Sequence, residues 1–273
     1  MHMSSQGPKP KRRQPAPRRL TNAEHLSLRG KEGWRSLKNG FGLQVGRVRY
    51  GAEVSSVSGD EGTVCVQSFF SGKNVAWVIP AVAQGSGGMR TILNHVEALR
   101  REGARCDLHV VDGSRERQSA HLIEENLRRF YGCEGCGVYA APRIDDSYDI
   151  AIATMWNTVP YVADAPCRDK AYFVQDFEPW FYPMGDSYLA AQQSYRSGLP
   201  AITIGRWLSH KLGDEFGIDT VPYDFAADEN VYQDLGMTRE NAVCILYQPE
   251  KPRRCKDVTR ELIAVLRQVA PKK

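Results

Sequence analysis

One stretch of the chain, residues 74–111, constrains the fold more than any other. It opens with an apolar run at 75–80 that has no polar alternation, which is typical of a strand buried on both faces in a parallel sheet. The glycines of residues 85–88 end this run, and apolar residues then recur at helical spacing until Gly103. Apolar strand character resumes at 106–111. The stretch therefore predicts a β-loop-α-β unit whose turn leaves backbone N–H groups at a helix N-terminus free to meet an anion.

Strands and helices continue to alternate after this unit. Apolar runs and helical spacing predict strands at 137–140, 149–154, 170–175 and 201–204, and helices at 115–131, 187–196 and 206–216. This alternation is the signature of a doubly wound α/β domain, and right-handed crossovers place the loops after the strand C-terminal ends at one edge of the sheet. The predicted fold class is therefore α/β, with a Rossmann-like parallel sheet that binds its ligands at that edge.

Composition separates the N-terminal part from this core. Residues 1–40 begin with a run rich in lysine, arginine and proline without an acidic residue, and such a segment cannot bury enough apolar surface to become ordered. They are therefore predicted to be a disordered basic tail, with an anionic membrane surface or nucleic acid as alternative partners of residues 8–19. The rest of the chain is nearly balanced in charge, so no specific nucleic-acid function is expected of it. Residues 41–73 are predicted to be a poorly defined segment with one or two short strands.

Cysteine usage and hydropathy restrict the compartment and the chemistry. Seven cysteines without a secretion signal predict a cytoplasmic protein with reduced thiols. No apolar segment reaches the length of about 18 residues that spans a membrane, so membrane contact is expected to be peripheral, at the inner face of the plasma membrane. Cys133 and Cys136 have C-x-x-C spacing, but no second pair follows at zinc-finger distance and the motif does not open a helix. No metal site is therefore predicted.

The segment 171–183 carries the most chemistry in the chain. An apolar strand runs directly into Asp176 and Glu178, and three aromatic residues bounded by prolines follow. If the strand ends near Gln175, both carboxylates stand at the ligand-binding edge, where aromatic walls desolvate a carboxylate and raise its pKa toward the range useful for proton transfer. Aromatic faces also suit the apolar face of a sugar ring. The alternative is that Asp176 caps a turn and that Glu178 pairs with a nearby arginine.

Taken together, these motifs are similar to those of the WsaF-type rhamnosyltransferases of glycosyltransferase family 4. The resemblance runs from residue 75 to the C-terminus and is carried by the segments 77–80, 85–92, 172–183, 204–208 and 216–217. It implies the two-Rossmann-domain GT-B fold and a retaining, metal-independent transfer without a cofactor. By the resemblance, a hexose such as rhamnose moves from a nucleotide diphosphate sugar to a cell-surface polysaccharide acceptor.

The resemblance also implies roles for single residues. Asp176 corresponds to the cleft carboxylate that these enzymes hold near the acceptor hydroxyl, so it is the candidate catalytic base, and Glu178 is the second carboxylate of the predicted catalytic site. Many family members have a histidine near the end of this strand, where this chain has Gln175. The resemblance further implies that the donor phosphates are bound by Gly87, Gly88, Arg253 and Arg254. It implies that the acceptor is bound by Met89, Arg90, Phe177, Trp180 and Tyr182.

The division into domains follows the same resemblance. Residues 74–238 correspond to the acceptor-side domain, and residues 239–273 correspond to the opening of the donor-binding domain, with a strand at 243–247, a basic loop and an amphipathic helix. Because a second domain would need on the order of 100 further residues for its own core, we expect a truncated protein that is inactive alone.

Two other classes of protein stand as alternatives. A nicotinamide-dependent oxidoreductase also uses strand-glycine-helix units, and Asp112 lies near the place of its ribose-binding carboxylate. A non-catalytic carbohydrate-binding or assembly module would keep the same surface without the reaction. The sequence leaves open whether the chain forms a homodimer.

Overall fold

The computed structural model of the protein describes residues 69–114, 117–225, 232–238, 240, 242–249 and 251–269. The predicted basic tail and the predicted short strands that precede residue 69 lie outside the described residues. Within these ranges, no helix is both long enough and apolar enough to cross a membrane.

Seven strands form one sheet. They are β1 (Asn74–Pro80), β2 (Arg105–Val111), β3 (Gly137–Tyr139), β4 (Ile150–Ala153), β5 (Asp169–Val174), β6 (Ala201–Ile204) and β7 (Thr220–Tyr223). Their order across the sheet is β3-β2-β1-β4-β5-β6-β7, and every neighbouring pair is parallel. The predicted α/β fold with a Rossmann-like parallel sheet is confirmed.

Helices occupy every connection between successive strands except the one from β3 to β4. They are α1 (Gly87–Arg101), α2 (Ala120–Tyr131), α3 (Val159–Ala163), α4 (Asp186–Ser194) and α5 (Gly205–Phe216), and α6 (Lys256–Val269) follows the sheet. Short 3₁₀ turns lie at Trp156–Thr158, Glu178–Phe181 and Pro252–Arg254. The start of α2 was predicted at residue 115, but this helix begins at Ala120 because the hydroxyl of Ser119 accepts a hydrogen bond from the backbone N–H of Leu122 and caps the helix there.

The strand β1 lies inside the sheet, between β2 and β4, and its position explains why its sequence is apolar. Alternate side chains point to opposite faces of the sheet, and each face has its own apolar core. Val75, Trp77 and Ile79 pack with residues of α1 and α2, whereas Ala76 and Val78 pack with residues of α3 and α5. Because both faces are covered, polar alternation is absent, as predicted.

The last described segment departs from the prediction of a strand at 243–247. Residues 242–248 have no regular secondary structure, and the side chain of Val243 is 65% exposed. An extended apolar run becomes a strand only when a neighbouring strand pairs with its N–H and C=O groups, and no described strand lies beside this one. The predicted helix forms as α6, with Val258 and Leu262 exposed. The division of the chain into two domains at residue 239 stays a prediction.

Candidate active site

The strand order reverses between β1 and β4, and the carboxyl edge at this reversal is called the cleft below. From β1 the chain crosses to β2 and β3 on one side, and then returns to add β4 to β7 on the other side. In sheets of this kind, ligands bind outside the carboxyl ends of the strands at the point of reversal. The loops that follow β1, β4 and β5 therefore define the candidate site.

The glycine turn after β1 and the segment after β5 meet at this edge. The side-chain amide of Gln175 donates a hydrogen bond from Nε2 to the carbonyl oxygen of Gly88, with a distance of 3.2 Å. A Cβ atom on Gly88 would lie 3.4 Å from that nitrogen, so glycine permits the close approach. The two motifs that the sequence singled out are thus neighbours, although 87 residues separate Gly88 from Gln175.

The turn itself is held in shape before α1 begins. The hydroxyl of Ser86 caps α1 by accepting a hydrogen bond from the backbone N–H of Met89. The Tyr131 hydroxyl, from the end of α2, accepts a hydrogen bond from the backbone N–H of Ser86 and donates one to the carbonyl oxygen of Ala83. The space around Gly87 is open, so the first turn of α1 presents its N-terminal end to the cleft.

Asp176 lies at the cleft but is engaged. Its Oδ1 accepts a hydrogen bond from the backbone N–H of Phe177 at 2.8 Å, as the turn-capping alternative predicted. Its Oδ2 forms an ion pair with the guanidinium of Arg253, although 77 residues separate the two. The side chain of Asp176 is 28% exposed, so solvent reaches the carboxylate.

The two arginines predicted to bind the donor phosphates are placed differently. The Arg253 guanidinium lies over the ring of Phe181, 5.0 Å from its centroid, and burial together with the neighbouring Arg254 lowers the Arg253 pKa. Arg254 turns away and donates from Nε to the side-chain oxygen of Gln248 at 3.3 Å. The structure therefore brings Arg253 to Asp176, whereas Arg254 lies beside the chain that precedes it.

Glu178 lies beneath the edge of the sheet instead of on it. The residue is 3% exposed, its Oε2 accepts from the backbone N–H of Trp156 at 2.7 Å, and its Oε1 accepts from the hydroxyl of Tyr172 at 2.8 Å. Burial raises the pKa of the Glu178 carboxyl to about 8, and the two hydrogen bonds oppose that rise. The expectation that Glu178 stands at the ligand-binding edge is wrong, and so is the alternative that it pairs with an arginine, because the Glu178 carboxyl is buried and bonded to Trp156 and Tyr172.

The five residues predicted to contact the acceptor divide into two groups. Met89 and Phe177 are buried, Met89 in the core beneath α1 and Phe177 stacked on Tyr195, so neither presents its side chain to the cleft. The other three, Arg90, Trp180 and Tyr182, are accessible at this edge. The Arg90 guanidinium lies over the ring of Tyr131. The Tyr182 hydroxyl accepts a hydrogen bond from the Trp156 indole N–H at 2.9 Å.

Sequence reasoning missed Trp207 and Lys211. Both lie on α5, directly after β6, and Trp207 packs beside Trp180 with ring centroids 5.6 Å apart. The signal was present, because a tryptophan in the first turn after a strand of a parallel sheet lies at the carboxyl edge.

The cysteine pair lies away from the cleft, at the amino end of β3. Cys133 and Cys136 border an open cavity of about 350 Å³ on the side of α2, and a hydrogen bond from the Cys136 thiol lowers the Cys133 pKa. Among the described residues, no group of three potential metal ligands comes together here or elsewhere. The residues that line this cavity lie outside the loops that define the candidate active site.

Comparison with known proteins adds one relative. No protein-family model matches the chain. The chain is 26% identical, over 184 residues, to the O-antigen biosynthesis protein RfbC of Myxococcus xanthus. The match covers 64% of this chain and 14% of the length of RfbC.

Proposed function

We propose that this protein is a glycosyltransferase of surface polysaccharide biosynthesis and that the described sheet is its acceptor-side domain. The observation that carries the proposal is the hydrogen bond between Gln175 and Gly88, because it joins the N-terminus of α1, a kind of site that suits an anion, to the loop of Asp176. The Rossmann-like sheet and the similarity to an O-antigen biosynthesis protein support the same reading.

In the proposed reaction, the donor is a nucleotide diphosphate sugar. Its diphosphate approaches the N-terminus of α1 at Gly87 and Gly88 and takes the guanidinium of Arg253, whose planar fork suits two phosphate oxygens. An arginine and backbone N–H groups would stabilise the charge of the leaving diphosphate, so the transfer needs no metal ion.

Release of Arg253 is the step that frees the base. Asp176 and the donor phosphates compete for one guanidinium, so donor binding leaves Oδ2 of Asp176 able to accept the proton of the acceptor hydroxyl. The acceptor oxygen then forms a bond to the anomeric carbon on the same face from which the diphosphate departs, as retention requires, and the bond from that carbon to the diphosphate breaks with its electron pair on the phosphate oxygen. We propose a hexose, with rhamnose as the first candidate, and retention of the anomeric configuration.

The test is donor consumption that depends on an acceptor. A full-length homologue is incubated with dTDP-rhamnose, a GDP-hexose or a UDP-hexose together with surface polysaccharide, and released nucleoside diphosphate is measured for the wild type and for the counterpart of Asp176→Asn. Asp176→Asn is expected to abolish the acceptor-dependent release while nucleotide binding is kept. Equal release by Asp176→Asn would remove Asp176 from the mechanism.

Donor binding is measured separately from turnover, on this protein. In ¹H–¹⁵N NMR spectra, inorganic pyrophosphate is expected to shift the backbone signals of Gly87 and Gly88. Unshifted glycine signals at saturating pyrophosphate would refute the donor site.

A non-catalytic carbohydrate-binding module is the second candidate. The observation that favours it is the exposed pair Trp180 and Trp207, which suits a saccharide without requiring the reaction. The oxidoreductase alternative meets an obstacle at Asp112, whose Oδ1 accepts from the backbone N–H of Ser114 at 2.9 Å and shapes the loop before α2. Energy transfer to bound NADH, measured by fluorescence, separates the oxidoreductase from the other two candidates.

A further inference from the structure

Two neighbouring tryptophans are exposed at the carboxyl edge of the sheet. Trp180, in the 3₁₀ turn after Asp176, is 42% exposed, and Trp207, in the first turn of α5, is 56% exposed. Their ring centroids lie 5.6 Å apart, with an angle of 34° between the ring planes. Adjacent exposed indole rings lose the hydrophobic free energy that burial would give, so such a pair indicates a binding surface.

The two rings are held in place from within the protein. The ammonium group of Lys211 lies 4.4 Å from the centroid of the Phe177 ring, 5.4 Å from that of Trp180 and 5.9 Å from that of Trp207. Phe177 is buried and packs edge-on against Trp180, with centroids 5.1 Å apart. Cation–π contacts and this packing fix the rings before a ligand arrives, which reduces the entropy lost on binding.

The surroundings of the pair are polar and carry both signs of charge. The Lys211 ammonium pairs with Glu215 at 2.6 Å, and next to Trp207 the exposed Arg206 lies 3.9 Å from a carboxylate oxygen of Asp224. A membrane surface favours clustered cations, which this rim does not present. A stable dimer buries about 800 Å² on each partner, which exceeds what two partly exposed indole rings offer.

We propose that Trp180 and Trp207 form a stacking platform for a saccharide ring of the polysaccharide acceptor, one or more sugars away from the reacting hydroxyl. The C–H face of a pyranose ring packs on an indole face, and its hydroxyls reach the charged rim formed by Arg206 and Glu215. Lys211 is a positioning residue, because it acts through the rings. The proposal rests on the proposed function, and it names neutral hexose units as the class of ligand.

The experiment uses saturation-transfer NMR on this protein with methyl α-L-rhamnoside, methyl α-D-mannoside and methyl β-D-galactoside as probes. Saturation is expected to reach the ring C–H protons of at least one glycoside. Trp180→Ala and Trp207→Ala are each expected to weaken its binding roughly tenfold, the effect of losing one stacked aromatic ring. Trp207→Phe is expected to restore part of it. Tyr161→Ala is the matched control, since Tyr161 is a similarly exposed aromatic residue on α3.

Each outcome decides between the platform and its rivals. Glycoside binding that survives both tryptophan-to-alanine variants, or no binding of any glycoside, overturns the platform. Sedimentation with phosphatidylglycerol vesicles that Trp207→Ala abolishes assigns the pair to a membrane instead, and a dimer that Trp207→Ala dissociates assigns it to a second copy.

The platform and the proposed function fail separately. Donor consumption without glycoside binding leaves the transferase standing and removes the platform. Glycoside binding that depends on the two tryptophans, without consumption of any donor, leaves a carbohydrate-binding module.

Discussion

The buried carboxyl of Glu178 gives the sharpest test of how the candidate site is built. Burial raises its pKa from 4.5 to about 8, and a shift of this size corresponds to about 5 kcal/mol of folding free energy. Because the folded pKa lies above the unfolded one, the stability associated with Glu178 is fully present below about pH 4.5 and is lost progressively as the pH rises to about 8. Ionisation of Glu178 therefore opposes folding in the neutral range.

Glu178→Gln removes the ionisation and keeps the shape. The glutamine oxygen can accept from the backbone N–H of Trp156, and its amide can donate to the hydroxyl of Tyr172, so both contacts survive. We expect the variant to be more stable than the wild type by about 2 to 5 kcal/mol near pH 8, the lower figure allowing for weaker hydrogen bonds to a neutral group. The difference is expected to shrink as the pH falls.

The measurement is urea denaturation followed by tryptophan fluorescence, at several values from about pH 5 to about pH 9. The quantity of interest is the free energy of unfolding of Glu178→Gln minus that of the wild type, which cancels the titration of other groups. Glu124→Gln, the same substitution on the exposed surface of α2, is the control and is expected to show no pH-dependent difference. A difference for Glu178→Gln that is constant over the whole range would refute the reasoning.

Three further predictions concern packing, acid stability and the donor site. Gly137→Ala places a Cβ atom 2.5 Å from Oδ1 of the buried Asp107, so we expect a loss of about 2 to 4 kcal/mol by thermal or urea denaturation. Gly113→Ala, which meets open space, is expected to be nearly neutral, and an equal loss in both variants would contradict this reading. The pKa of buried His109 is lowered to about 4, so its contribution to the free energy of unfolding is present above about pH 6.5 and is lost as the pH falls toward 4. In denaturation experiments, His109→Gln should therefore lose less stability at acid pH than the wild type. An equal loss in the two proteins would disprove the assignment. Arg253→Gln is expected to weaken pyrophosphate binding at least tenfold in NMR titrations, and unchanged affinity would remove Arg253 from the donor site.

Most strands of the sheet could be predicted because each can be recognised from its own local sequence pattern. The run at 75–80 is apolar without alternation, and this pattern by itself requires cover on both faces. The short edge strand β7 was not predicted, because a strand of four residues that contains Pro222 resembles a turn. The failure at 243–247 has the opposite cause: the run is apolar, but strand formation depends on a partner that the run itself cannot specify.

The location of the candidate site could be predicted from the sequence, but only some of the contacts between its residues could. Topology alone brought Gly88 and Gln175 to one edge, since both follow parallel strands. The burial of Glu178 depends on Tyr172, from the strand before it, and on Trp156, from another connection, so no local pattern distinguishes it from Asp176. The ion pair of Asp176 with Arg253 joins segments 77 residues apart and likewise has no local signature.

The two hydrogen bonds of the Tyr131 hydroxyl to the glycine turn affect the rate at which a ligand can bind there. A free loop would have to be ordered each time a ligand binds, at about 1 to 2 kcal/mol of entropy per residue. Because the tyrosine already immobilises Ser86 and Ala83, this ordering occurs once, when the protein folds. For the diphosphate ligand proposed above, we therefore expect an association rate that is set by diffusion and charge instead of by the motion of the loop.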